Sequence, residues 1–171
     1  MSKPSQPVTI LMADDDDDDR RLTKEAFQEG HVFNELRFVE NGEELMAYLR
    51  KEGKYEGAPR PGLILLDLNM PRKDGRTVLK EIKTDPGLRQ IPVVVLTTSK
   101  TEEDIRVTYD LGGNSYIVKP VSFDALVQIC QMLEKYWFDI VELPPSPRAP
   151  ARPGPREPLD QFRAIGEERS P

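Results

Sequence analysis

The sequence is poor in the residues that build redox sites and soft-metal sites. Its 171 residues include one cysteine, Cys130, and one histidine, His31. A single cysteine excludes an intrachain disulfide and a cysteine-based zinc site, and a single histidine excludes a metal site with several histidine ligands. These classes of site are therefore ruled out by counting alone.

Long apolar runs and a basic charge balance are also missing. No stretch approaches the roughly 20 apolar residues that span a bilayer, and the first seven residues, MSKPSQP, lack the apolar segment of a secretory signal. The chain has 30 acidic and 24 basic residues, for a net charge of −6, which argues against general affinity for nucleic acid. We expect a cytoplasmic protein that binds neither nucleic acid nor a membrane.

Proline is plentiful but unevenly placed. Of its 16 prolines, half fall in the last 28 residues, where apolar side chains are too few to pack a core. We predict a globular domain over residues 7–143 and a proline-rich arm over residues 144–171, extended or disordered. An arm of this length is too short for a second folded output module.

Short apolar runs alternate with segments of helical period along the globular part. Three of these runs are nearly continuous in isoleucine, leucine and valine, which is typical of strands buried on both faces of a parallel sheet. The predicted strands are Val8–Ala13, Leu36–Val39, Leu63–Leu66, Pro92–Leu96 and Ser115–Val118. Each is followed by a helical segment, so we predict a doubly wound (βα)5 fold with helices on both faces of the sheet.

Helix boundaries have local signals. Thr101 and Ser122 are predicted N-caps, and Gly30, Gly53 and Asp85 are predicted to end the first three helices. The fourth helical segment has only a weak apolar face, marked by Ile105 and Tyr109. We therefore expect it to pack loosely.

Polar side chains collect where the predicted strands end. They are Asp14 and Asp15 after the first strand, Asp67 and Asn69 after the third, Thr97 to Ser99 after the fourth, and Lys119 with Pro120 after the fifth. Ligands of doubly wound sheets bind at this carboxyl edge. Four independent placements thus predict one pocket.

The pocket's chemistry points to metal and phosphate. Carboxylates close together repel one another, and oxygen ligands of this kind suit Mg²⁺. A lysine and a hydroxyl suit a phosphoryl group, and an aspartate can itself be the nucleophile that accepts one. The residues predict Mg²⁺-dependent phosphoryl transfer onto a carboxylate.

This set of residues resembles the receiver domain of bacterial response regulators over about residues 8–138. The motif consists of Asp14-Asp15, Asp67 with Met70-Pro71 and Asp74-Gly75, Thr97, and Lys119-Pro120. The run 93–99, VVVLTTS, and the ending Tyr136-Trp137-Phe138 with Leu143-Pro144 resemble the single-domain response regulators that serve bacterial phytochromes. The resemblance implies a flavodoxin-like sheet in the order 2-1-3-4-5.

The resemblance also implies a role for each residue. Asp67 would be the phosphoacceptor, and Mg²⁺ would be held by Asp14, Asp15, Asp67 and the backbone carbonyl of Asn69. Lys119, joined to Pro120 by a cis bond, and Thr97 would bind the phosphoryl group. Thr97 and Tyr116 would form the switch, while Asn69 and Ser99 would tune dephosphorylation. The implied donor is a sensor histidine kinase, a bacteriophytochrome in this case.

Two other functions are considered. A phosphohydrolase with an aspartyl nucleophile needs a second aspartate two residues later, where this chain has Asn69, and it usually carries a cap domain. A receiver-like module that only binds would not need the complete residue set. Asp16 to Asp19 are interpreted as a solvated run at the start of the first helix, where negative charge is favourable.

The end of the fifth helical segment is rich in aromatic residues. Tyr136, Trp137 and Phe138 either close the core or lie at a partner interface, and we favour the interface. Together with Ile140, Val141 and Leu143 they form more apolar surface than a chain end normally shows to water. We expect a homodimer through the fourth helix, fifth strand and fifth helix, extended by the arm.

Overall fold

The computed structural model describes residues 8–147. Its strands are β1 (Ile10–Ala13), β2 (Leu36–Val39), β3 (Leu63–Leu66), β4 (Val93–Thr97) and β5 (Ser115–Val118). All neighbours are parallel, in the order β2-β1-β3-β4-β5, so the predicted fold and strand order are confirmed. β1 begins two residues later than predicted, and β4 begins after Pro92, which has no N–H to give to a sheet.

Five helices connect and follow the strands. They are α1 (Asp17–Glu29), α2 (Gly42–Leu49), α3 (Gly75–Thr84), α4 (Glu102–Asp110) and α5 (Phe123–Glu134). The predicted caps are present: Thr101 and Ser122 each accept a hydrogen bond at 3.2 Å from a first-turn amide. Gly30 and Asp85 follow α1 and α3 as expected.

The predicted end of α2 at Gly53 is wrong. The helix stops at Leu49, and the chain then turns through Lys51 at a φ of +56°. The amides of Lys51 and Glu52 bond back to carbonyls of α2 and complete this turn. Gly53 instead begins a short 3₁₀ turn that ends at Tyr55.

The sheet is buried on both faces because its strand residues alternate between two apolar layers. Leu11 and Ala13 face α2 and α3, whereas Ile10 and Met12 face α1 and α5. Cys130 on α5 belongs to the second layer and is 1% exposed. Burial raises the pKa of its thiol to about 12, which fits the prediction of a core residue.

α3 and α4 pack very differently. Val78, Leu79 and Ile82 of α3 are fully buried. The one buried residue of α4 is Thr108, whose hydroxyl has no hydrogen-bond partner among the described residues. The neighbouring edge strand β5 is half-buried along its whole length. The loose fourth helix expected from the sequence is therefore present.

Beyond α5 the chain winds into a π-helical segment, Lys135–Ile140. Leu143 then approaches Gly62, and residues 143–146 line a cavity of about 400 Å³ at the amino edge of the sheet. The rest of the predicted arm, residues 148–171, lies outside the described residues. Within residues 8–147, no helix combines the length and apolarity needed to cross a membrane.

Candidate functional site

The carboxyl ends of the strands bring the predicted residues to one edge of the sheet. Asp14 directly follows β1, Asp67 follows β3, Thr97 ends β4 and Lys119 follows β5. Gly75 is needed at the start of α3 because a Cβ there would lie 2.7 Å from the Leu68 Cα, inside the loop that carries Asp67. The pocket predicted from strand ends is therefore present as a geometric unit.

Three carboxylates form the acidic part of this pocket. Asp14, Asp15 and Asp67 each offer an oxygen, and these oxygens lie within 4.8 Å of one another. Asp14 is fully buried and Asp67 is 8% exposed, whereas Asp15 faces solvent. A cluster of hard oxygen donors that is open on one side fits Mg²⁺, which keeps some of its waters.

Lys119 supplies the positive charge opposite these carboxylates. Its Nζ lies 2.6 Å from Asp14 Oδ2, 2.7 Å from Asp19 Oδ2 and 3.3 Å from Asp67 Oδ2. Burial opposes the charge on Lys119, but its bonds to Asp14 and Asp19 outweigh that effect and raise its pKa. Burial raises the pKa of Asp14 despite its bond to Lys119. The lysine therefore stays charged in the pocket.

Asp19 was wrongly interpreted as part of a solvated run. Asp17 and Asp18 do face solvent, with side chains 94% and 79% exposed, and Asp16 caps α1 by accepting from the Asp19 amide. The Asp19 carboxylate instead turns inward to Lys119. The sequence has no local signal for this contact, because Lys119 lies 100 residues further along the chain.

Asp67 is held by two further donors. The Thr97 hydroxyl donates to Asp67 Oδ1 at 3.0 Å, and the Asn69 amide donates to the same oxygen at 3.2 Å. Thr97 is fully buried. With Lys119 on the other oxygen, both oxygens of Asp67 are fixed by hydrogen-bond donors. Asn69 itself is exposed to solvent. The binding of a metal ion by its backbone carbonyl stays a prediction.

The other predicted switch residue is tied to the loop after β4. The Tyr116 hydroxyl donates to the Ser99 carbonyl at 2.8 Å, and the Ser99 amide donates to the Thr97 hydroxyl at 3.4 Å. Thr97 and Tyr116 are therefore connected through the backbone of Ser99. The arrangement gives a short route from Asp67 to β5.

An ion pair continues this connection towards α3. The Ser99 hydroxyl donates to Asp104 Oδ2 at 2.5 Å, and Arg76 donates to Asp104 Oδ1 through Nε at 2.9 Å. We call Ser99, Asp104 and Arg76 the α3–α4 clasp. Bonds from Ser99 and Arg76 lower the pKa of Asp104. Sequence analysis missed Asp104 and Arg76 as site neighbours, because an Arg-Asp pair 28 residues apart has no local signature.

The aromatic ending is divided between the core and the surface. Trp137 and Phe138 are half-buried and pack against the layer of α1 and α5. Tyr136 and Ile140 are 50% and 63% exposed, as is Met132 at 69%. Trp137 and Phe138 therefore help to close the core, while Tyr136 and its exposed neighbours are free to contact a partner.

The cis bond expected before Pro120 is absent. The peptide bonds of the described residues are all trans, which is the more stable isomer of most X–Pro bonds. In this conformation Lys119 already reaches Asp67, so the contact does not require the cis isomer.

The chain is similar to known proteins over the part that contains this pocket. A family model described as "response regulator receiver domain" matches residues 10–131, a range that contains every pocket residue named above. Rcp1 of Synechocystis sp., a response regulator, is 45% identical over 138 residues, covering 81% of this chain and 94% of Rcp1. The crystal structure of Mn²⁺-bound Rcp1 has a TM-score of 0.75, and the match covers 81% of this chain and 100% of Rcp1 in that structure.

Two other solved structures agree. The crystal structure of the phosphorylated cyanobacterial phytochrome response regulator RcpA is 48% identical, with a TM-score of 0.77, over 82% of this chain and 100% of RcpA. RPA3017, a response regulator in red light signaling of R. palustris, is 34% identical with the same TM-score, over 81% of this chain and 99% of its own. The likeness thus extends over nearly the whole length of these relatives.

Proposed function

The chain belongs to the response regulator receiver family and is closely related to phytochrome response regulators, and from this premise we propose that it carries a phosphoryl group on Asp67. The group comes from a sensor histidine kinase of the bacteriophytochrome kind, and its arrival changes the protein contacts that the chain makes. The chain acts as a signalling protein rather than as a classical enzyme. Since such a kinase draws on ATP, the proposed setting is the cytoplasm.

The observation that carries this proposal is the set of groups around Asp67. Lys119 and Thr97 contact its two different oxygens at 3.3 Å and 3.0 Å. In the transfer, one Asp67 oxygen forms the bond to phosphorus while the bond to the donor's leaving group breaks, and the leaving group keeps that electron pair. Lys119 and Thr97 are then positioned to bind the phosphoryl oxygens.

A divalent cation completes the proposed site. Asp14, Asp15 and Asp67 would hold it, with the Asn69 carbonyl as a further ligand. When bound, Mg²⁺ neutralises charge on the transferring group. The Mn²⁺-bound form of Rcp1 supports a divalent cation in this family. Asp19 takes no part in this ligand set and serves instead as a second anchor for Lys119.

The proposed switch runs through Thr97 and Tyr116. Thr97 now donates to the charged Asp67 carboxylate. Phosphorylation would move the negative charge onto the phosphoryl oxygens, so the Thr97 hydroxyl would find its charged acceptor there instead. Thr97 is linked to Tyr116 through Ser99, so the β4–α4 loop and the β5 surface respond together. Asn69 and Ser99 tune the rate at which the phosphoryl group is lost.

A homodimer is part of the proposal. Val121 is fully exposed, and Tyr109, Met132, Tyr136 and Ile140 are each at least half exposed on the α4, β5 and α5 side or its continuation. Twofold pairing would remove this apolar area from water on both subunits. Light scattering at micromolar protein, on the full chain and on a chain that ends at Tyr136, tests the dimer. If both chains are monomers, with and without a phosphoryl mimic, the dimer is contradicted.

The test of the function is labelling by a small phosphodonor. Asp67→Asn keeps the shape of the side chain but removes the nucleophilic carboxylate, so labelling by radioactive acetyl phosphate with Mg²⁺ should disappear. Asp18→Asn is a matched control, because Asp18 is an exposed aspartate that pairs with Arg21 outside the pocket. Equal labelling of the wild type and Asp67→Asn would exclude Asp67 as the acceptor.

A further inference from the structure

Ser99 is a junction between the phosphoryl site and two other elements. Its amide donates to Thr97, its carbonyl accepts from Tyr116, and its hydroxyl donates to Asp104. All three polar groups of this one residue are therefore engaged, each with a different main partner, and the Ser99 hydroxyl also lies 3.4 Å from the Thr101 hydroxyl. Ser99 lies two residues after Thr97, whose hydroxyl contacts Asp67.

The partner of the Ser99 hydroxyl is firmly held. Asp104 is only 16% exposed at its side chain, and both of its oxygens are used, one by Ser99 and one by Arg76. Arg76 also bonds to the N-cap Asp74 at 3.0 Å. A charged acceptor fixed in this way forms a strong hydrogen bond with a hydroxyl.

The bond has a chemical consequence. A serine hydroxyl has a single proton to donate, and in this structure that proton is directed at Asp104. While the α3–α4 clasp is closed, the hydroxyl cannot donate to a water molecule or a phosphoryl oxygen at Asp67. Breaking the clasp frees it to rotate towards the site.

We propose that Asp104, steadied by Arg76, is a positioning residue that lengthens the life of the phosphoryl group by keeping the Ser99 hydroxyl turned away from Asp67. The inference rests on the proposed function. In the hydrolysis that it slows, a water oxygen bonds to phosphorus as the phosphorus–Asp67 bond breaks. The carboxylate departs with the electron pair, and the water protons pass to phosphate and solvent.

The experiment compares the loss of label from four proteins: wild type, Asp104→Ala, Ser99→Ala and the double variant. Each is labelled with radioactive acetyl phosphate, freed of donor and followed with time in Mg²⁺. We expect Asp104→Ala to lose label about fivefold faster, the scale of one hydrogen bond. In the Ser99→Ala background the same substitution should change the rate by less than about twofold.

Controls separate this role from a general loosening of the fold. Glu81→Gln weakens the ion pairs that Glu81, on α3, makes with Lys73 and Arg50 without touching Ser99, and should leave the rate unchanged. Arg76→Ala removes the support but not the acceptor, so it should accelerate loss by less than Asp104→Ala does. It also serves as the second test if Asp104→Ala does not fold.

The possible outcomes distinguish a failure of this inference from a failure of the proposed function. An unchanged rate in folded Asp104→Ala and Arg76→Ala would overturn the inference and leave the proposed function intact, as would an equal acceleration with and without Ser99. A wild-type chain that takes no label would contradict the proposed function and the inference with it.

Discussion

The sheet has a firmly packed half and a loosely packed half, and the functional site lies where they meet. On one side, β3 and the apolar face of α3 are buried completely. On the other, β5 is half-buried and α4 buries a single threonine. Asp14 and Asp67 stand on the firm half, whereas Tyr116 and the α3–α4 clasp reach into the loose half. A fixed acceptor and a responsive surface are thus built from the same sheet.

The two halves should differ most in the free energy of unfolding that is lost when a large apolar side chain is truncated. Leu79→Ala, in α3, should lower the free energy of unfolding by about 2–5 kcal/mol, because it leaves a cavity in a fully buried layer. Ile105→Ala, at a half-buried position of α4, should cost only about 1 kcal/mol. Urea unfolding followed by circular dichroism measures both. Equal costs would remove the distinction between the two halves.

Thr97→Ala should separate acceptance of phosphate from its effect. The variant keeps Asp67 and Lys119, so it should still be labelled by acetyl phosphate. It should lose the change in affinity for its partner kinase, a coupling of about 1–3 kcal/mol in typical switches. Calorimetric titration with the kinase, before and after phosphorylation, measures this. A fully retained response would place the switch elsewhere.

The next prediction concerns the clustered carboxylates of the pocket and their affinity for Mg²⁺. Asp15→Ala removes one of three clustered carboxylates, so Mg²⁺ should bind at least about tenfold more weakly, while the metal-free protein gains stability from reduced repulsion. The matched control replaces Asp17 and Asp18, both exposed and outside the pocket. Should the control weaken Mg²⁺ more than Asp15→Ala does, the ligand assignment is wrong.

A smaller effect is expected inside α4. The buried Thr108 hydroxyl has no partner among residues 8–147, and an unsatisfied buried hydroxyl costs about 1 kcal/mol or more. Thr108→Val keeps the shape and removes that cost, so thermal unfolding should shift upwards. Thr84→Val is the contrast, because the Thr84 hydroxyl donates to Lys80 and its loss should not stabilise. A destabilised Thr108→Val would contradict this account of α4.

The smallest effect concerns the pH dependence of the clasp. Ser99 and Arg76 lower the pKa of Asp104 in the folded state, so its contribution to stability is complete above the unfolded value of about 4. It is lost as the pH falls through the lower folded value. The stability difference between wild type and Asp104→Asn, about 0.5 kcal/mol near neutral pH, should therefore vanish in acid. A stability difference that grows in acid would contradict the lowered pKa of Asp104 in the folded state.

Sequence periodicity was sufficient for the fold because buried parallel strands are continuous apolar runs. The bounds of β2, β3 and β5 agree with the prediction, and strand ends alone located Asp14, Asp67, Thr97 and Lys119 in one pocket. The misses depended on tertiary contacts. Asp19 looked like its solvated neighbours until Lys119 was placed 2.7 Å away.

Other features of the molecule involve choices that a sequence pattern leaves open. Trp137 and Phe138 have the same apolar character at an interface as in a core; they pack half-buried against the α1–α5 layer, and their contact with a partner stays a prediction. Arg76 and Asp104 are separated by most of a βα unit, so their ion pair appears only after α3 and α4 are placed side by side.

The lone cysteine turns the α1–α5 layer into its own reporter. Cys130 is buried, and its thiol, with a pKa of about 12, is almost entirely protonated at neutral pH. The thiolate is the nucleophile that attacks an alkylating reagent, and it must be exposed to do so, so Cys130 can react only after α5 has lifted away from the sheet. The alkylation rate under native conditions therefore measures how often this layer opens. Comparing that rate with and without a phosphoryl group on Asp67 would show whether phosphorylation changes how often the α1–α5 layer opens.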